Sequence, residues 1–317
     1  MGDSNRDFGF ASTTDEVLAD IDLTGKTVVV TGASGGLGAE TARALASAGA
    51  AVTIGCRDIG KGEQAAAGIR ASTGNDDVRV AALDLLDHAS IAAFADHVGT
   101  TYDALSILVN NAGVMACPLA RSEHGWELQF ATNHVGHFLL TKLLTPLLAA
   151  GAPARVVSLS SFGHTRAPVD FDDLHFENKP YDKWEAYGQA KTANALFAVG
   201  LDARLKDRGV RGFAVHPGAI VTELGRHLEE ADIVEISGRI STQAGGFKEV
   251  ATGAATSVWA ATAPELDGKG GLYLEDCSVS APVGTEDVTT GYLDHAVSPE
   301  IADRLWSVTE ELLRRSP

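Results

Sequence analysis

The chain has 317 residues, of which 45% are hydrophobic and 21% charged, as in an ordinary globular protein with one large or two small domains. The formal net charge of -17 argues against nucleic acid or an anionic membrane as partner, because both require a basic face. The polar, acidic N-terminus, the lack of a long apolar segment and the scattered Cys56, Cys117 and Cys277 predict a cytoplasmic protein without membrane span, disulfide framework or zinc site.

Short apolar runs alternate with helical patterns along most of the chain. The runs are apolar almost throughout, which is typical of parallel strands covered on both faces. We expect strands at 27–31, 51–55, 78–83, 106–110, 155–160, 212–216 and 271–274, and helices that include 39–48, 90–98, 125–148 and 185–208. This alternation predicts an α/β fold, a Rossmann-type doubly wound sheet of about seven parallel strands with helices on both faces.

No repeat or linker divides the chain, so we expect an N-terminal extension at 1–24 and a single domain at 25–317. Residues 221–250 combine several glycines with large apolar residues. They are interpreted as a substrate-side lid or, equally well, as surface helices that pack an apolar face.

A glycine-rich loop, TGASGGLG at 31–38, follows the first predicted strand and precedes a helix. Glycines let the backbone approach a pyrophosphate, and the helix N-terminus attracts the anion. The same loop fits the G-x-S-x-G elbow of serine hydrolases, with Ser34 as nucleophile. That alternative is less favoured, because no strand upstream of the loop is available to build an oxyanion hole.

The second strand ends near Cys56, Arg57 and Asp58. An acid here would bind the ribose hydroxyls of NAD, whereas an arginine would pair with the 2′-phosphate of NADP. Cys56 stands where the acid is expected, so Arg57 favours NADP(H), NAD(H) remains the alternative, and Asp58 is expected to cap the next helix. A solvated surface charge is the other interpretation of Arg57.

Two further strand ends carry polar residues. Asp84 could accept the adenine amino group or cap a helix, and either role explains it. The sequence Asn110-Asn111-Ala112-Gly113 offers amides that hold neighbouring backbone and small residues that admit a cofactor.

Tyr187 and Lys191 lie four residues apart, on one face of a predicted helix. An ammonium group beside a phenol stabilises the phenolate and lowers the pKa of the phenol, which makes acid–base catalysis accessible near neutral pH. The serines at 158, 160 and 161 close the preceding strand, where one hydroxyl could bind a substrate oxygen.

These motifs in this order resemble the short-chain dehydrogenase/reductase family from about Gly25 onward. The matching segments are TGASGGLG, Asp84, NNAG, VVSLSS, YGQAK and His216-Pro217-Gly218 with Thr222. The long gap between Ser161 and Tyr187, the CRD at 56–58 and GLYLEDC at 271–277 resemble its retinol-dehydrogenase-like and WW-domain-oxidoreductase-like branch.

The resemblance implies hydride transfer between a nicotinamide cofactor and an alcohol or carbonyl substrate. It makes Tyr187 the proton-transferring group, Lys191 its pKa-lowering partner and a ribose ligand, Ser161 the substrate-orienting serine, and Asn133 the holder of a proton-relay water. The cofactor-binding residues that it implies are Gly32, Ser34, Gly36, Leu37, Gly38, Arg57, Asp84, Leu85, Asn111, Ala112, Gly113, Tyr187, Lys191, Pro217, Gly218, Ile220 and Thr222.

Other expectations follow less directly. His134, His137 and His216 are expected to be structural, and no metal site is predicted, because no carboxylate stands at ligand spacing near them. The apolar residues of the lid segment suggest a mainly hydrophobic small-molecule substrate, although a retinoid or membrane lipid is less expected without a membrane anchor. The long helical segments 125–148 and 185–208 resemble subunit-pairing helices and suggest a homodimer or homotetramer, and a regulatory or scaffold protein of the same fold is the alternative to an enzyme.

Overall fold

The computed structural model describes residues 7–241, 246–284 and 290–316, and within them eight strands form one sheet. The strands are β1 (Thr27–Thr31), β2 (Ala51–Cys56), β3 (Val78–Ala82), β4 (Ile107–Asn110), β5 (Ala154–Leu159), β6 (Val210–His216), β7 (Leu272–Glu275) and β8 (Ser278–Val279). Their order is β3-β2-β1-β4-β5-β6-β7-β8. All pairs are parallel except β7 with β8, so the predicted doubly wound sheet of about seven parallel strands is confirmed.

Helices cover both faces of the sheet. They are α1 (Thr14–Leu18), α2 (Gly36–Ser47), α3 (Ile59–Thr73), α4 (His88–Thr101), α5 (Leu128–Phe130), α6 (Gly136–Ala150), α7 (Lys183–Leu205), α8 (Glu230–Ser241), α9 (Val250–Thr262) and α10 (Pro299–Arg315). On one face α2, α3 and α9 bury side chains such as Leu45 and Val258 against the sheet. On the other face α4, α6 and α7 bury Phe94, Leu144 and Leu201.

The helix starts are fixed by side chains that accept the free N–H groups of the first turn. Asp58, Asp87, Asp182 and Ser298 cap α3, α4, α7 and α10 in this way. The expected role of Asp58 as a helix cap is therefore observed. Asp58 and Asp87 therefore set where the loops that follow β2 and β3 end.

The prediction of one regular helix over 125–148 was wrong at its start and in its geometry. The buried carboxylate of Glu127 accepts the N–H groups of Gln129 and Phe130, so α5 begins only at Leu128. A π-helical turn, Ala131–Val135, then precedes α6. Such turns are rare and occur often at functional sites.

The described part of the predicted N-terminal extension packs on the domain. The hydroxyl of Thr14 donates to Glu40 on α2, and Arg43 on α2 pairs with Asp15 at 2.6 Å. Further upstream, the ring of Phe10 lies 4.8 Å from the ammonium of Lys248. Across the described residues, no helix is long and apolar enough to cross a bilayer.

Candidate active site

A cleft of about 1830 Å³ opens along the carboxyl ends of the parallel strands. It runs from the glycine loop after β1 to the turn after β6 and to α8. Every residue that the sequence predicted for the cofactor or for catalysis lines this cleft, apart from Asn133, which lies behind its wall. The strand order reverses between β1 and β4, which is where doubly wound sheets bind their ligands.

The glycine loop is packed so tightly that side chains are excluded at two positions. Gly32 has φ +66°, and a Cβ there would lie 2.8 Å from the Cα of Ala112. A Cβ on Gly38 would lie 2.5 Å from Nδ2 of Asn111. Gly35, which has no side chain to cap α2, leaves the first N–H groups of that helix to the cleft, an arrangement that suits a pyrophosphate.

The part of the cleft next to β2 and α3 carries charged residues of both signs. Arg57, Lys61 and Asp58 line it, with Lys61 in the first turn of α3 and its ammonium 3.9 Å from the carboxylate of Glu223. Cys56 is buried, and its thiol lies 3.3 Å from the carbonyl oxygen of Asp58. The position at which a ribose-binding acid was expected therefore holds a thiol that faces α3.

Asp84 lines the cleft next to Leu85, and its carboxylate accepts the N–H of Leu86 at 3.0 Å. The alternative that Asp84 caps a helix is wrong, because Asp87 accepts the first N–H groups of α4. Asp84 instead shapes the loop between β3 and α4, on the side of the cleft nearest β3.

Thr31, at the end of β1, holds the loop after β4 in place. Its hydroxyl accepts the N–H groups of Asn111 at 2.9 Å and Ala112 at 3.0 Å. The hydroxyl lies 2.8 Å from Nε2 of His137, whose Nδ1 lies 2.9 Å from the carbonyl oxygen of Asn133. His137 is thus a buried structural residue, as expected, and burial lowers its pKa to about 4.

Asn133 lies in the π-helical turn and is fully buried, contrary to the default expectation that a polar residue within a helix faces solvent. Its side chain accepts the N–H of Val114 at 2.8 Å and donates to the Val114 carbonyl at 2.9 Å. Gly113 separates it from Lys191, since a Cβ on Gly113 would lie 3.0 Å from Oδ1 of Asn133 and 3.9 Å from Nζ of Lys191. The structure brings Asn133 close to Lys191 across a glycine.

Tyr187 projects from α7 toward the end of β5 and is 4% exposed. Burial raises the pKa of Tyr187 to about 12, and a hydrogen bond with the side chain of Ser161 lowers it in part. The hydroxyl of Ser160 is occupied differently, since it donates to the carbonyl of Lys191 at 2.8 Å. The geometry therefore puts Ser161, rather than Ser160, beside the phenol.

Lys191 is 4% exposed and donates to the carbonyl oxygen of Leu159 at 2.9 Å. Its Nζ lies 5.7 Å from the centre of the Tyr187 ring. Burial lowers the pKa of Lys191 to about 8, so the ammonium form still predominates at pH 7. The expected lowering of the Tyr187 pKa by Lys191 stays a prediction.

The turn after β6 forms the wall opposite the loop after β4. Gly218 has φ +94° and packs against the side chain of Lys248, which pairs with Asp276 at 2.6 Å. Ile220 continues the wall through a parallel bridge with Lys248. Thr222 lies next to Gly36, so the segment after β6 contacts the glycine loop after β1.

Helix α8 covers the substrate side of the cleft. The carboxylate of Asp232 accepts hydrogen bonds from Nζ of Lys183 at 2.6 Å and from Nε1 of Trp184 at 3.1 Å. One turn later Glu235 pairs with Arg166 at 2.7 Å. Residues 242–245 of the predicted lid segment lie outside the described residues.

A Gly-rich turn at the switch point of a doubly wound sheet and a buried tyrosine–lysine pair facing the same cleft define a dinucleotide-binding oxidoreductase. The family model for the short chain dehydrogenase matches residues 26–233. The chain belongs to the short-chain dehydrogenase/reductase family and is an NAD(P)-dependent oxidoreductase that acts on a small molecule.

Known relatives agree with this assignment. A probable oxidoreductase from Streptomyces antibioticus is 43% identical over 301 residues, 93% of this chain and 99% of that protein. Retinol dehydrogenase 12 from Mus musculus is 43% identical over 293 residues, 92% of this chain and 88% of that protein. The predicted likeness to the retinol-dehydrogenase-like branch is therefore confirmed.

Solved structures show the same fold. A putative uncharacterized protein from Mycobacterium paratuberculosis has TM-score 0.72 and 34% identity, covering 96% of this chain and 98% of that chain. The Pseudomonas aeruginosa RhlG/NADP active-site complex has TM-score 0.62 and 25% identity, covering 80% of this chain and 96% of that chain.

The sequence interpretation did not identify several residues that line the cleft. Lys61 follows the predicted cap Asp58 by three residues, in the first turn of α3 beside Arg57, and that position could have indicated it. Met115, Phe162 and Trp184 reach the substrate side from three separate segments. No local pattern marks these three, because only the fold brings them together.

Proposed function

We propose that the protein interconverts a largely apolar carbonyl compound and its alcohol, with NADP(H) as preferred cofactor and Tyr187 as acid–base catalyst. The observation that carries the proposal is one continuous cleft with the glycine loop at one end and Tyr187, Ser161 and Lys191 at the other. Four groups are assigned roles: Tyr187 exchanges the proton, Ser161 orients the substrate oxygen, and Lys191 and Asn133 connect the phenol to solvent.

The residues present fit a nicotinamide dinucleotide. A Cβ at Gly32 or Gly38 would collide with backbone or with Asn111. The loop is therefore built without side chains at these positions, which would let a pyrophosphate come close to its backbone. When bound, the cofactor supplies the hydride that carbonyl reduction consumes and alcohol oxidation returns. Lys191 and the turn at Pro217 and Gly218 would hold its nicotinamide end.

The protonation states support carbonyl reduction. With a pKa of about 12, Tyr187 carries its proton at neutral pH and is ready to donate it to a substrate oxygen. The Ser161 side chain, which lowers the pKa of the phenol in part, can bind the same oxygen and stabilise the phenolate left behind. Lys191 adds positive charge 5.7 Å from the ring as that phenolate forms.

Two cations in the part of the cleft next to β2 support NADP(H). Arg57 and Lys61 lie where a 2′-phosphate would bind, and Cys56 stands in place of a carboxylate that would repel it. The carboxylate of Asp58, in the same part of the cleft, caps α3. The structurally similar RhlG is known as a complex with NADP, which is consistent with this preference.

Apolar side chains supply most of the substrate side. The lining includes Met115, Phe162, Trp184, Leu224, Leu228, Ile233, Ile236 and Phe247. Retinol dehydrogenase 12 of Mus musculus, a relative of this chain, is named for an apolar alcohol. We propose that α8 acts as the lid over this part of the cleft, held by Asp232 and Glu235.

The proposal is tested first by fluorescence titration of the full chain with NADPH and NADH. The tighter cofactor is then used with a homologous series of n-alkyl aldehydes and ketones. We expect NADPH to bind more tightly, and kcat/KM to rise about fourfold per added methylene, as burial of about 0.8 kcal/mol per CH₂ implies.

Two variants on α8 form a matched pair for the substrate side. Ile236 lines the cleft, whereas Val234 is 69% exposed on the same helix. Ile236→Ser should raise KM for the longer substrates, and Val234→Ser should not. Tighter NADH binding would overturn the cofactor preference, and cofactor binding without turnover of any carbonyl would favour a regulatory protein.

A further inference from the structure

The peptide bond between Ser161 and Phe162 is held at both ends by buried histidines. Its carbonyl oxygen accepts the backbone N–H of His164 at 3.0 Å, lies 2.7 Å from Nδ1 of the same residue and accepts the hydroxyl of Tyr273 at 3.2 Å. Its N–H, on Phe162, donates to Nδ1 of His216 at 3.2 Å. Both polar atoms of this peptide are therefore bonded to side chains: that of His164 in the turn that follows, and those of Tyr273 on β7 and His216 on β6.

Hydrogen-bonding partners fix the tautomer of each ring. Nε2 of His164 accepts the N–H of Leu293 at 3.2 Å, so the ring proton must be on Nδ1, where it donates to the Ser161 carbonyl. His216 has the opposite arrangement, because its Nδ1 accepts two N–H groups, from Phe162 and from Gly218 at 3.4 Å. Its proton must be on Nε2, 4.0 Å from a carboxylate oxygen of Glu275.

Both rings are neutral at physiological pH. His164 is 0% and His216 7% exposed, and burial lowers their pKa values to about 4 and about 3. Protonation would add an N–H at the nitrogen that now accepts one, so each ring works only in its neutral form. A neutral histidine gives a hydrogen bond of fixed direction without placing a charge beside the phenol.

The peptide bond between Ser161 and Phe162 sets the position of the Ser161 hydroxyl, which the proposed function places on the substrate oxygen. The hydroxyl oxygen of Ser161 accepts the N–H of Gly163 at 3.0 Å, so the serine side chain is tied to the turn that follows the peptide. That turn packs directly on the catalytic ring, since a Cβ on Gly163 would lie 2.7 Å from Cε1 of Tyr187. A shift of the peptide would therefore move Ser161 relative to Tyr187.

His216 also contacts the turn on the cofactor side of the cleft. The second N–H that its Nδ1 accepts belongs to Gly218, in the turn proposed to hold the nicotinamide. One nitrogen atom thus fixes the serine turn and the nicotinamide turn relative to each other. The imidazole also lines the cleft between them.

We propose that His164 and His216 are positioning residues of opposite tautomer that set the distance and angle between Ser161, Tyr187 and the nicotinamide turn. This inference rests on the proposed function, since it assigns a purpose to a geometry around the proposed catalytic groups. His164 holds the carbonyl end of the peptide, with Tyr273 as a second donor, and His216 holds the N–H end.

Asparagine and leucine give a matched test at both positions. An asparagine side chain places a polar atom close to the position of Nδ1, as Oδ1 acceptor for His216 or as Nδ2 donor for His164, while leucine has a similar size and no polar atom. A misplacement of about 1 Å in a catalytic group costs about 10²-fold in rate. We expect His216→Leu and His164→Leu to lower kcat about 100-fold, and His216→Asn and His164→Asn to recover at least tenfold of that loss.

Further readouts separate positioning from loss of structure. His216→Leu should also raise the Kd of NADPH several-fold, because the nicotinamide turn is released, whereas His164→Leu should not. The control is His97→Leu, an exposed histidine on α4, which should match wild type in each measurement. Equal kcat in the Leu and Asn variants, or wild-type kcat in both Leu variants, would overturn the proposal.

A measurement without turnover keeps the inference separate from the proposed function. Long-range ¹⁵N–¹H correlation spectra of histidine-labelled wild-type protein report which ring nitrogen carries the proton. We expect the Nδ1–H form for His164 and the Nε2–H form for His216, assigned by loss of each signal in the Asn variants. If either ring shows the other tautomer or is protonated at pH 7, the inference fails even when the enzyme is active; if both tautomers are as expected but no carbonyl substrate is turned over, the proposed function fails instead.

Discussion

Replacing Lys191 with methionine should remove catalysis and leave the protein more stable. Methionine has a similar length and no charge, so the variant deletes the buried ammonium with little change in packing. With the 5.7 Å from Nζ to the centre of the Tyr187 ring as the charge separation and an effective dielectric constant of about 20, the attraction between this ammonium and a phenolate at Tyr187 is about 3 kcal/mol. That is about a hundredfold in the phenolate population, so kcat/KM for alcohol oxidation should fall about 100-fold.

The stability change has the opposite sign. Folding lowers the pKa of Lys191 from 10.5 to about 8, which at 1.36 kcal/mol per pKa unit costs about 3 kcal/mol at pH 7. Loss of the hydrogen bond to Leu159 destabilises the variant by about 1 kcal/mol, so the free energy of unfolding of Lys191→Met should rise by about 2 kcal/mol, or a few degrees in Tm.

The pH dependence of stability gives a second check on the same group. The unfolded chain binds the Lys191 proton more tightly than the native protein, so wild-type stability should rise as the pH increases from about 8 to 10.5. The gain in free energy of unfolding of Lys191→Met over wild type should therefore be largest below pH 8 and disappear by about pH 10.5.

The assay combines thermal unfolding between pH 6 and 10.5 with steady-state alcohol oxidation. Lys142→Met is the control, because Lys142 is half-exposed on α6 and pairs with Glu310 at the surface. A Lys191→Met protein with wild-type turnover, or one that loses turnover and stability together, would refute the reasoning.

Three further substitutions test separate parts of the cleft. Gly38→Ala should cost about 1–3 kcal/mol in thermal unfolding, because its Cβ would meet a side chain at 2.5 Å, whereas Gly35→Ala, with no atom of the described chain within 4 Å, should not; equal Tm values would contradict this. Arg57→Ala should raise the Kd of NADPH about 10- to 100-fold and leave that of NADH unchanged, with Arg70→Ala, on the helix α3 that follows Arg57, as control; an equal loss for both cofactors would remove the 2′-phosphate role. Asp232→Asn should weaken the hold on α8 by about 1 kcal/mol and raise substrate KM about fivefold at unchanged NADPH affinity, and a KM equal to wild type would show that this contact does not close the cleft.

The fold could be predicted from the sequence because parallel strands buried on both faces leave nearly continuous apolar runs. Strand β1 at Thr27–Thr31 was predicted without error, and the others to within two residues at either end. Strand β8 was not predicted, because its two exposed residues, Ser278 and Val279, form no recognisable apolar run. The hairpin that places them depends on positive φ at Asp276 and Cys277. The π-helical turn was not predicted, because it depends on the cap at Glu127 and on tertiary contacts of Asn133 rather than on the spacing of apolar residues.

The candidate site shows the same division. Tyr187 and Lys191 were found because their spacing on one helix is local, and the glycine loop because its position after β1 is local. The histidine pair around Ser161 was not predicted as a unit, because Tyr273 and Leu293 reach His164 from more than 100 residues away. His216 was expected to be structural, and only the folded structure shows which two turns it joins.

The central claim, that Tyr187 exchanges the proton in carbonyl reduction, is tested most directly by Tyr187→Phe. The phenol is buried, and phenylalanine keeps its ring against Gly163, so the variant should fold and bind NADPH like wild type. Single-turnover reduction of the best carbonyl substrate, with NADPH in excess of its Kd, measures the chemical step alone. We expect a loss of about 10²- to 10⁴-fold in that rate. A rate within twofold of wild type at unchanged NADPH affinity would contradict it.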